Sequence, residues 1–163
     1  MNMQPVDSIR VLIADDDENI LQCYREAFGD AHQNDYDETL SSLEAELFDA
    51  EPESPAAPRF DIVACSQGGD AISLAAEATR EGRPFDVVIL DVRMPPGIDG
   101  VEAGSRIRKL DPDVEIVFVT GFADLTMSEL ARRVPPPVKL HYFNKPLSFM
   151  QLAESVADMV RAG

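Results

Sequence analysis

The sequence is short of several residue types, and each shortage excludes a class of protein. It has no tryptophan, only two cysteines, and 14 basic residues against 30 acidic ones. Cys23 and Cys65 are isolated and lack the CxxC spacing of a metal or redox motif, so we expect reduced thiols that serve as small core residues. A disulfide between them is the less favoured alternative.

Long apolar runs are also missing. No run approaches the ~18 residues of a membrane span, and the first residues, MNMQPVDS, lack the basic and apolar regions of an export signal, so we expect a cytoplasmic protein.

The length of 163 residues suits one domain over 1–163. A formal net charge of −16 repels nucleic acid and anionic membranes and favours bound cations and basic partner surfaces.

An acidic insertion is predicted at residues 30–58. It holds nine acids without one Lys or Arg. Leu40, Leu43, Leu47 and Phe48 keep helical spacing and predict a short helix at 39–48, and the three prolines at 52–58 indicate a stiff linker. Two interpretations stay open: a mobile acidic segment without a role, or a helix docked on its own domain or on a partner.

Strand and helix patterns alternate along the rest of the sequence. The predicted strands are 9–14, 60–65, 85–90, 114–119 and 138–143, and the predicted helices are 18–28, 70–80, 100–110, 124–133 and 148–160. We attribute Gly68-Gly69-Asp70 to a turn and a helix N-cap, because no phosphate-binding glycine motif is present. The alternation predicts an α/β fold: a doubly wound parallel sheet with helices on both faces and right-handed crossovers.

Acidic, hydroxyl and basic side chains follow four of the predicted strands where each strand ends. They are Asp15-Asp16-Asp17 after the first strand, Asp91 after the third, Thr120 after the fourth and Lys145 near the fifth. A rigid loop with two prolines, 94–97, follows Asp91. Because the carboxyl ends of parallel strands meet at the ligand-binding edge of α/β sheets, we expect these side chains to converge. A single Asp there is also typical of a helix N-cap or a turn.

Converging carboxylates repel one another unless a cation lies between them. Oxygen ligands, few of them from protein, suit Mg²⁺. A lysine and a hydroxyl beside the cation suit phosphoryl transfer, in which the protein positions groups and stabilises charge, and an aspartate can be the acceptor. The strand ends therefore indicate a magnesium-dependent phosphoryl-transfer site.

Four segments occur in the order, and roughly at the spacing, of one known family: Asp15-Asp16, LDVRMPPGIDG, FVTGF and YFNKP. They resemble the receiver domain of two-component response regulators, over nearly the whole sequence outside 30–58. The resemblance implies a flavodoxin-like (βα)5 fold with strand order 2-1-3-4-5. It also implies signal transduction or phosphorelay by an aspartyl-phosphate switch, rather than by a turnover enzyme.

The resemblance implies a role for each matching acid. Asp91 would be the phosphoacceptor. Asp15 and Asp16 would hold Mg²⁺ together with Asp91 and the backbone carbonyl of Arg93. Asp17 would flank the site without binding the metal, because the pair in the family is the first two acids.

The remaining matches imply a switch. Thr120 and Lys145 would bind the phosphoryl group, Tyr142 would move inward with the hydroxyl, and the bond from Lys145 to Pro146 would be cis. The phosphoryl donor would be a histidine kinase or a phosphotransfer protein. The signal would pass to an output domain or a homodimer partner.

The sequence departs from the family pattern at the insertion and at one loop. Pro96-Gly97 makes the loop between Asp91 and the Asp99-Gly100 pair one residue longer than usual. By family resemblance, the residues two after the phosphoacceptor and two after the switch hydroxyl govern water access. Here they are Arg93 and Phe122, which offer no carboxylate or amide to orient a water, so we expect slow dephosphorylation.

Two alternatives belong to other classes. A degenerate receiver acts only as a protein interaction module and usually lacks one of the functional groups, whereas none is missing here. Haloacid-dehalogenase-like phosphatases also use strand-end Asp, Thr and Lys, and Asp15 and Asp17 match their DxD spacing. That family would require an acid pair after Lys145, where the only aspartate that follows is Asp158, on a predicted helix.

Overall fold

The computed structural model describes residues 8–29, 59–121 and 125–162. The acidic insertion, with its predicted helix at 39–48, lies outside these ranges, and so does Phe122. The described strands are β1 (Ile9–Ala14), β2 (Phe60–Cys65), β3 (Val87–Asp91), β4 (Glu115–Thr120) and β5 (Leu140–Asn144). The described helices are α1 (Glu18–Phe28), α2 (Gly68–Arg80), α3 (Gly100–Leu110), α4 (Met127–Arg133) and α5 (Phe149–Ala162), with a 3₁₀ turn at Pro137–Lys139.

All five strands run parallel in one sheet, in the order β2-β1-β3-β4-β5. The doubly wound α/β fold and the strand order are therefore confirmed. The order reverses between β1 and β3, and the crevice at such a switch point is where open α/β sheets bind ligands. Leu90 pairs with Ala14 on one side of β3, and Asp91 pairs with Val119 on the other, so the three strands end almost level.

Two apolar layers bury the sheet on both faces, as a parallel sheet requires. One layer joins Leu12, Val88 and Phe118 to residues of α2, α3 and α4. The other joins the alternate strand residues to α1 and α5, where the Tyr24 and Phe149 rings meet edge to face at 4.9 Å. Both cysteines are half-buried free thiols. No helix within the described ranges is long and apolar enough to cross a bilayer.

Element ends differ from the sequence predictions at several places, including β3, which is Val87–Asp91 rather than 85–90, and α5, which is Phe149–Ala162 rather than 148–160. The predicted N-cap at Gly68-Gly69-Asp70 is wrong, because α2 already begins at Gly68 and its N-cap residue is Gln67. Helix α4 begins at Met127, after a Thr126 capping box. Strand β4 lies one residue later than predicted, and β5 begins only at Leu140, because the 3₁₀ turn occupies the residues before it.

Candidate functional site

Three carboxylates meet at the carboxyl edge of the sheet. One oxygen from each of Asp15, Asp16 and Asp91 lies within 4.8 Å of the others. Asp15 is buried, Asp16 is exposed and Asp91 lies between these extremes. The pairing of β1 with β3 produces this proximity, because Asp15 and Asp16 are the two residues after β1 and Asp91 ends β3. The predicted convergence of these three acids is observed.

Asp17 lies beside this cluster but faces the helix. Its side chain accepts a hydrogen bond of 2.9 Å from the backbone N–H of Asn19 and caps α1. Its own N–H donates to Asp15 Oδ1 at 2.9 Å, which holds the buried carboxylate in place. Asp17 is not among the three clustered acids. The side chain has a helix-capping role, which leaves the DxD alternative without its second acid at the site.

Lys145 brings positive charge to the cluster. Its Nζ donates to Asp15 Oδ2 at 3.0 Å and to Asp91 Oδ2 at 3.3 Å. Its backbone N–H donates to the Thr120 carbonyl at 2.8 Å, so the loop after β5 is tied to the end of β4. The peptide bond from Lys145 to Pro146 is cis, as the resemblance implied. The lysine and the acids, which lie at the ends of β1, β3 and β5, are thus held together at one edge of the sheet.

Burial and mutual repulsion shape the protonation of this cluster. Burial, followed by the charge of Asp15, raises the pKa of Asp91 above its ordinary value, although Lys145 and the Arg93 N–H act in the opposite sense. Burial alone would lower the pKa of Lys145. Its hydrogen bond to Asp15 and the charges of Asp15 and Asp91 outweigh that effect, so the pKa lies above its ordinary value. A cation between the carboxylates would relieve the repulsion.

Thr120 lies on β4, the strand next to that of Asp91, and Tyr142 lies on β5, on the far side of β4. Thr120 ends β4 and is fully buried. Tyr142 pairs with Phe118, two residues before Thr120, and packs half-buried against the layer that holds Phe118. Because side chains alternate along a strand, Thr120 and Tyr142 belong to the same face of the sheet. Arg93 is exposed, and its backbone N–H donates to Asp91 Oδ1 at 3.3 Å.

Two residues without a predicted role also shape the site. Gly100 begins α3, and its N–H donates to the Val92 carbonyl at 2.8 Å. A Cβ atom on Gly100 would overlap the carbonyl of Asp91. Gln67, the N-cap residue of α2, forms hydrogen bonds with the loop after Asp91. The Asp-Gly pair is a sequence signal for Gly100, whereas nothing in the sequence marks Gln67.

The arrangement combines a half-buried carboxylate, two further acids, a lysine and a buried hydroxyl at the sheet edge. Such a set can hold a hard divalent cation and balance the charge of a phosphoryl group. The half-buried carboxylate can act as the nucleophile, because carboxylates accept phosphoryl groups.

Comparison with known proteins agrees with this geometry. The sequence model of the response regulator receiver domain matches residues 56–157. The chain belongs to the receiver domain family. This match identifies a module of two-component signalling and confirms the family resemblance of the sequence motifs.

Individual relatives are similar over part of their length. The receiver domain is 32% identical over 101 residues to the sensor kinase CckA of Brucella abortus (strain 2308), which covers 62% of this chain and 10% of that protein. It is 30% identical over 79 residues to the response regulator receiver protein CpdR of the same organism, which covers 48% of this chain and 62% of CpdR. The chain thus spans less than two thirds of either relative.

A solved structure shares the fold over almost the whole chain. It is a response regulator receiver protein from Sinorhizobium medicae WSM419, with a TM-score of 0.64 and 22% sequence identity. The alignment covers 97% of this chain and 98% of that one.

Proposed function

We propose that this receiver domain, residues 1–163, accepts a phosphoryl group on Asp91. The observation that carries the proposal is the meeting of the Asp15, Asp16 and Asp91 carboxylates with Lys145 Nζ, 3.3 Å from Asp91 Oδ2. The half-buried Asp91 side chain lies at the end of the central strand β3, next to the buried Thr120 at the end of β4. A phosphoryl group joined to Asp91 would therefore find both the lysine and the hydroxyl beside it.

The acids suit Mg²⁺. The three clustered oxygens are hard ligands, and the exposure of Asp16 leaves room for the waters that Mg²⁺ retains. Asp15, Asp16, Asp91 and the carbonyl of Arg93 would hold the ion. When bound, the ion would supply positive charge that neutralises the carboxylates and the transferring phosphoryl group.

The chemistry needs one oxygen nucleophile and a phosphorylated histidine as donor. An Oδ of Asp91 forms a bond to phosphorus while the phosphorus–nitrogen bond breaks, and the electron pair stays on the imidazole nitrogen of the donor. Lys145, which pairs with Asp15 and Asp91 in this structure, would exchange the Asp91 contact for a phosphoryl oxygen. The Thr120 hydroxyl would donate to another phosphoryl oxygen, and Tyr142 would follow it inward.

The donor would be a histidine kinase or a phosphotransfer protein with a basic docking face, since the net charge of the chain is −16. The phosphorylated form would act on an output domain or a homodimer partner, as a switch rather than as a turnover enzyme. We expect this to take place in the cytoplasm, where thiols such as Cys23 and Cys65 remain free.

Titration with Mg²⁺ and beryllofluoride, combined with phosphorylation by acetyl phosphate, tests the proposal. We expect the parent protein to bind beryllofluoride in the presence of Mg²⁺ and to form one acid-labile phosphoryl adduct. Asp91→Asn should lose the adduct and keep the fold. An undiminished adduct in Asp91→Asn would contradict the proposal. Binding of neither ligand would indicate the degenerate receiver, and steady hydrolysis of small phosphate esters would indicate a phosphatase.

A further inference from the structure

Gln67 joins two loops that flank the acidic cluster. Its Nε2 donates to the carbonyl of Pro95 at 3.3 Å, and its Oε1 accepts from the N–H of Gly97 at 3.3 Å. One amide side chain thus bridges both ends of a three-residue segment. The residue between these ends is Pro96, in the stretch that makes this loop one residue longer than the family pattern.

The side chain of Gln67 makes this bridge instead of capping its own helix. Gln67 is the N-cap residue of α2, but its side chain makes no capping hydrogen bond. Ser, Thr, Asp or Asn would be favoured at an N-cap, because their short side chains satisfy the first backbone N–H groups of the helix. The amide of Gln67 contacts a loop that lies 28 to 30 residues away in the sequence.

Packing holds the far end of the bridged loop, where Ile98 packs against the core next to Gly68 of α2. Residues 95–97 instead border a groove of about 720 Å³, which is lined by Pro96 and Gly97 of the loop and by Asp70, Ile72 and Ser73 of the helix. Pro95 and Pro96 have no N–H and cannot donate a backbone hydrogen bond. The amide of Gln67 therefore connects residues 95–97, which border the groove, to the start of α2.

The rest of the loop is anchored next to Asp91. Met94 is 1% exposed and lies in the core, and Gly100 donates to the carbonyl of Val92. Arg93 lies between these anchors, and its N–H donates to Asp91 Oδ1. Residues 95–97 thus join the backbone of Arg93 through the buried Met94, and the carbonyl of Arg93 is the expected fourth protein ligand of Mg²⁺.

We infer that Gln67 is a positioning residue for the metal site, an inference that rests on the proposed function. By holding Pro95 and Gly97 together, it restricts the conformations of the lengthened loop next to the Arg93 carbonyl, which would bind the ion together with the three carboxylates. Without the bridge, the loop samples other conformations and has to be ordered again when Mg²⁺ binds. Replacing a residue that orients a metal ligand without binding the metal itself commonly weakens metal affinity by about 10- to 100-fold.

Calorimetric Mg²⁺ titration of the full chain tests the inference in four variants. We expect Gln67→Ala to bind Mg²⁺ about 10-fold more weakly than the parent. Ser73→Ala is the matched control, because Ser73 lines the same groove but its Oγ donates to the Gly69 carbonyl within α2. Its affinity should equal that of the parent. Gln67→Glu retains the acceptor for Gly97 but loses the donor to Pro95, so it should fall between the parent and Gln67→Ala.

Asp16→Ala separates the two hypotheses. Loss of Mg²⁺ binding in Asp16→Ala together with unchanged affinity in Gln67→Ala would overturn the role of Gln67 and leave the proposed metal site standing. Full Mg²⁺ binding by Asp16→Ala would overturn the metal site itself, and the role of Gln67 with it.

Amide exchange of Gly97 in the metal-free protein gives a direct readout of the bridge. The Gly97 N–H should exchange faster in Gln67→Ala than in Ser73→Ala, at equal melting temperature of the two variants.

Deletion of Pro96 gives a second test, in which Mg²⁺ binding is measured with a shortened loop. If the bridge supports the extra residue, Gln67→Ala should weaken Mg²⁺ binding much less in the shortened loop than in the parent loop. An equal loss in both loops would overturn the inference.

Discussion

The carbonyl oxygen of Asp91 occupies the space that a Cβ atom on Gly100 would need. The end of the central strand and the start of α3 therefore approach so closely that only glycine fits between them. The N–H of Gly100 also donates to the carbonyl of Val92, immediately after Asp91. The backbone at the expected phosphoacceptor and immediately after it is thus fixed by one glycine.

Gly100→Ala should destabilise the fold and slow the phosphorylation of Asp91. The added methyl group has to displace backbone, for which overpacking costs of about 1–3 kcal/mol are typical. Gly69→Ala is the matched control, because a Cβ there meets nothing within 4 Å and alanine favours helices. Denaturant unfolding and acetyl phosphate labelling measure both effects. Equal stability of the two variants would refute the close-approach argument.

Asp91→Asn should stabilise the metal-free protein at pH 7. Because the pKa of Asp91 is raised, its ionised form is less favourable in the fold than in the unfolded chain. This destabilisation is fully present above the pKa that Asp91 has in the folded protein, and it shrinks as the pH falls. It vanishes below the pKa that Asp91 has in the unfolded chain, near 3.8. The melting-temperature difference between Asp91→Asn and the parent should therefore narrow from pH 7 toward pH 4. The exposed Asp158→Asn serves as the control, and a gap that stays constant with pH would contradict this reasoning.

Mg²⁺ should raise the melting temperature of the parent protein, because it binds only the folded state. At 100 times the dissociation constant the gain is about 2.7 kcal/mol, or roughly 5–10 °C for a chain of this size. Asp16→Ala should abolish the gain. Asp17→Ala should lower the metal-free stability through loss of the α1 cap but retain the gain. Scanning calorimetry with and without Mg²⁺ distinguishes them, and equal gains in all three proteins would place the ion elsewhere.

Self-dephosphorylation should be slow, and Phe122→Glu should accelerate it. Hydrolysis requires a water in line with the phosphorus–oxygen bond to Asp91, and neither Arg93 nor Phe122 offers an amide or carboxylate that could orient that water. The loss of phosphoryl group after removal of the donor is the measurement. Phe122→Leu is the control, because it stays apolar. Decay of Phe122→Glu at the rate of the parent would show that this position does not limit hydrolysis.

Much of the fold could be predicted from the sequence, because the strands are continuous apolar runs and the helices have one apolar face. The bounds of β1, α1, β2 and α3 agree with the predictions. The predicted ends failed where short-range hydrogen bonding decided them, as at the Thr126 capping box and the 3₁₀ turn before β5. Apolar periodicity carries no information about such bonds.

The candidate site divides in the same way. The sequence by itself determined which residues end the strands, since an acid, a hydroxyl or a lysine interrupts each apolar run, and parallel pairing then places Asp15, Asp91 and Thr120 at one edge. Only the tertiary structure decided that Asp17 caps α1, that Lys145 bridges two carboxylates and that Gln67 bridges the loop after Asp91. These contacts depend on side-chain direction and on loop conformation, because residues up to 130 positions apart have to meet within about 3 Å.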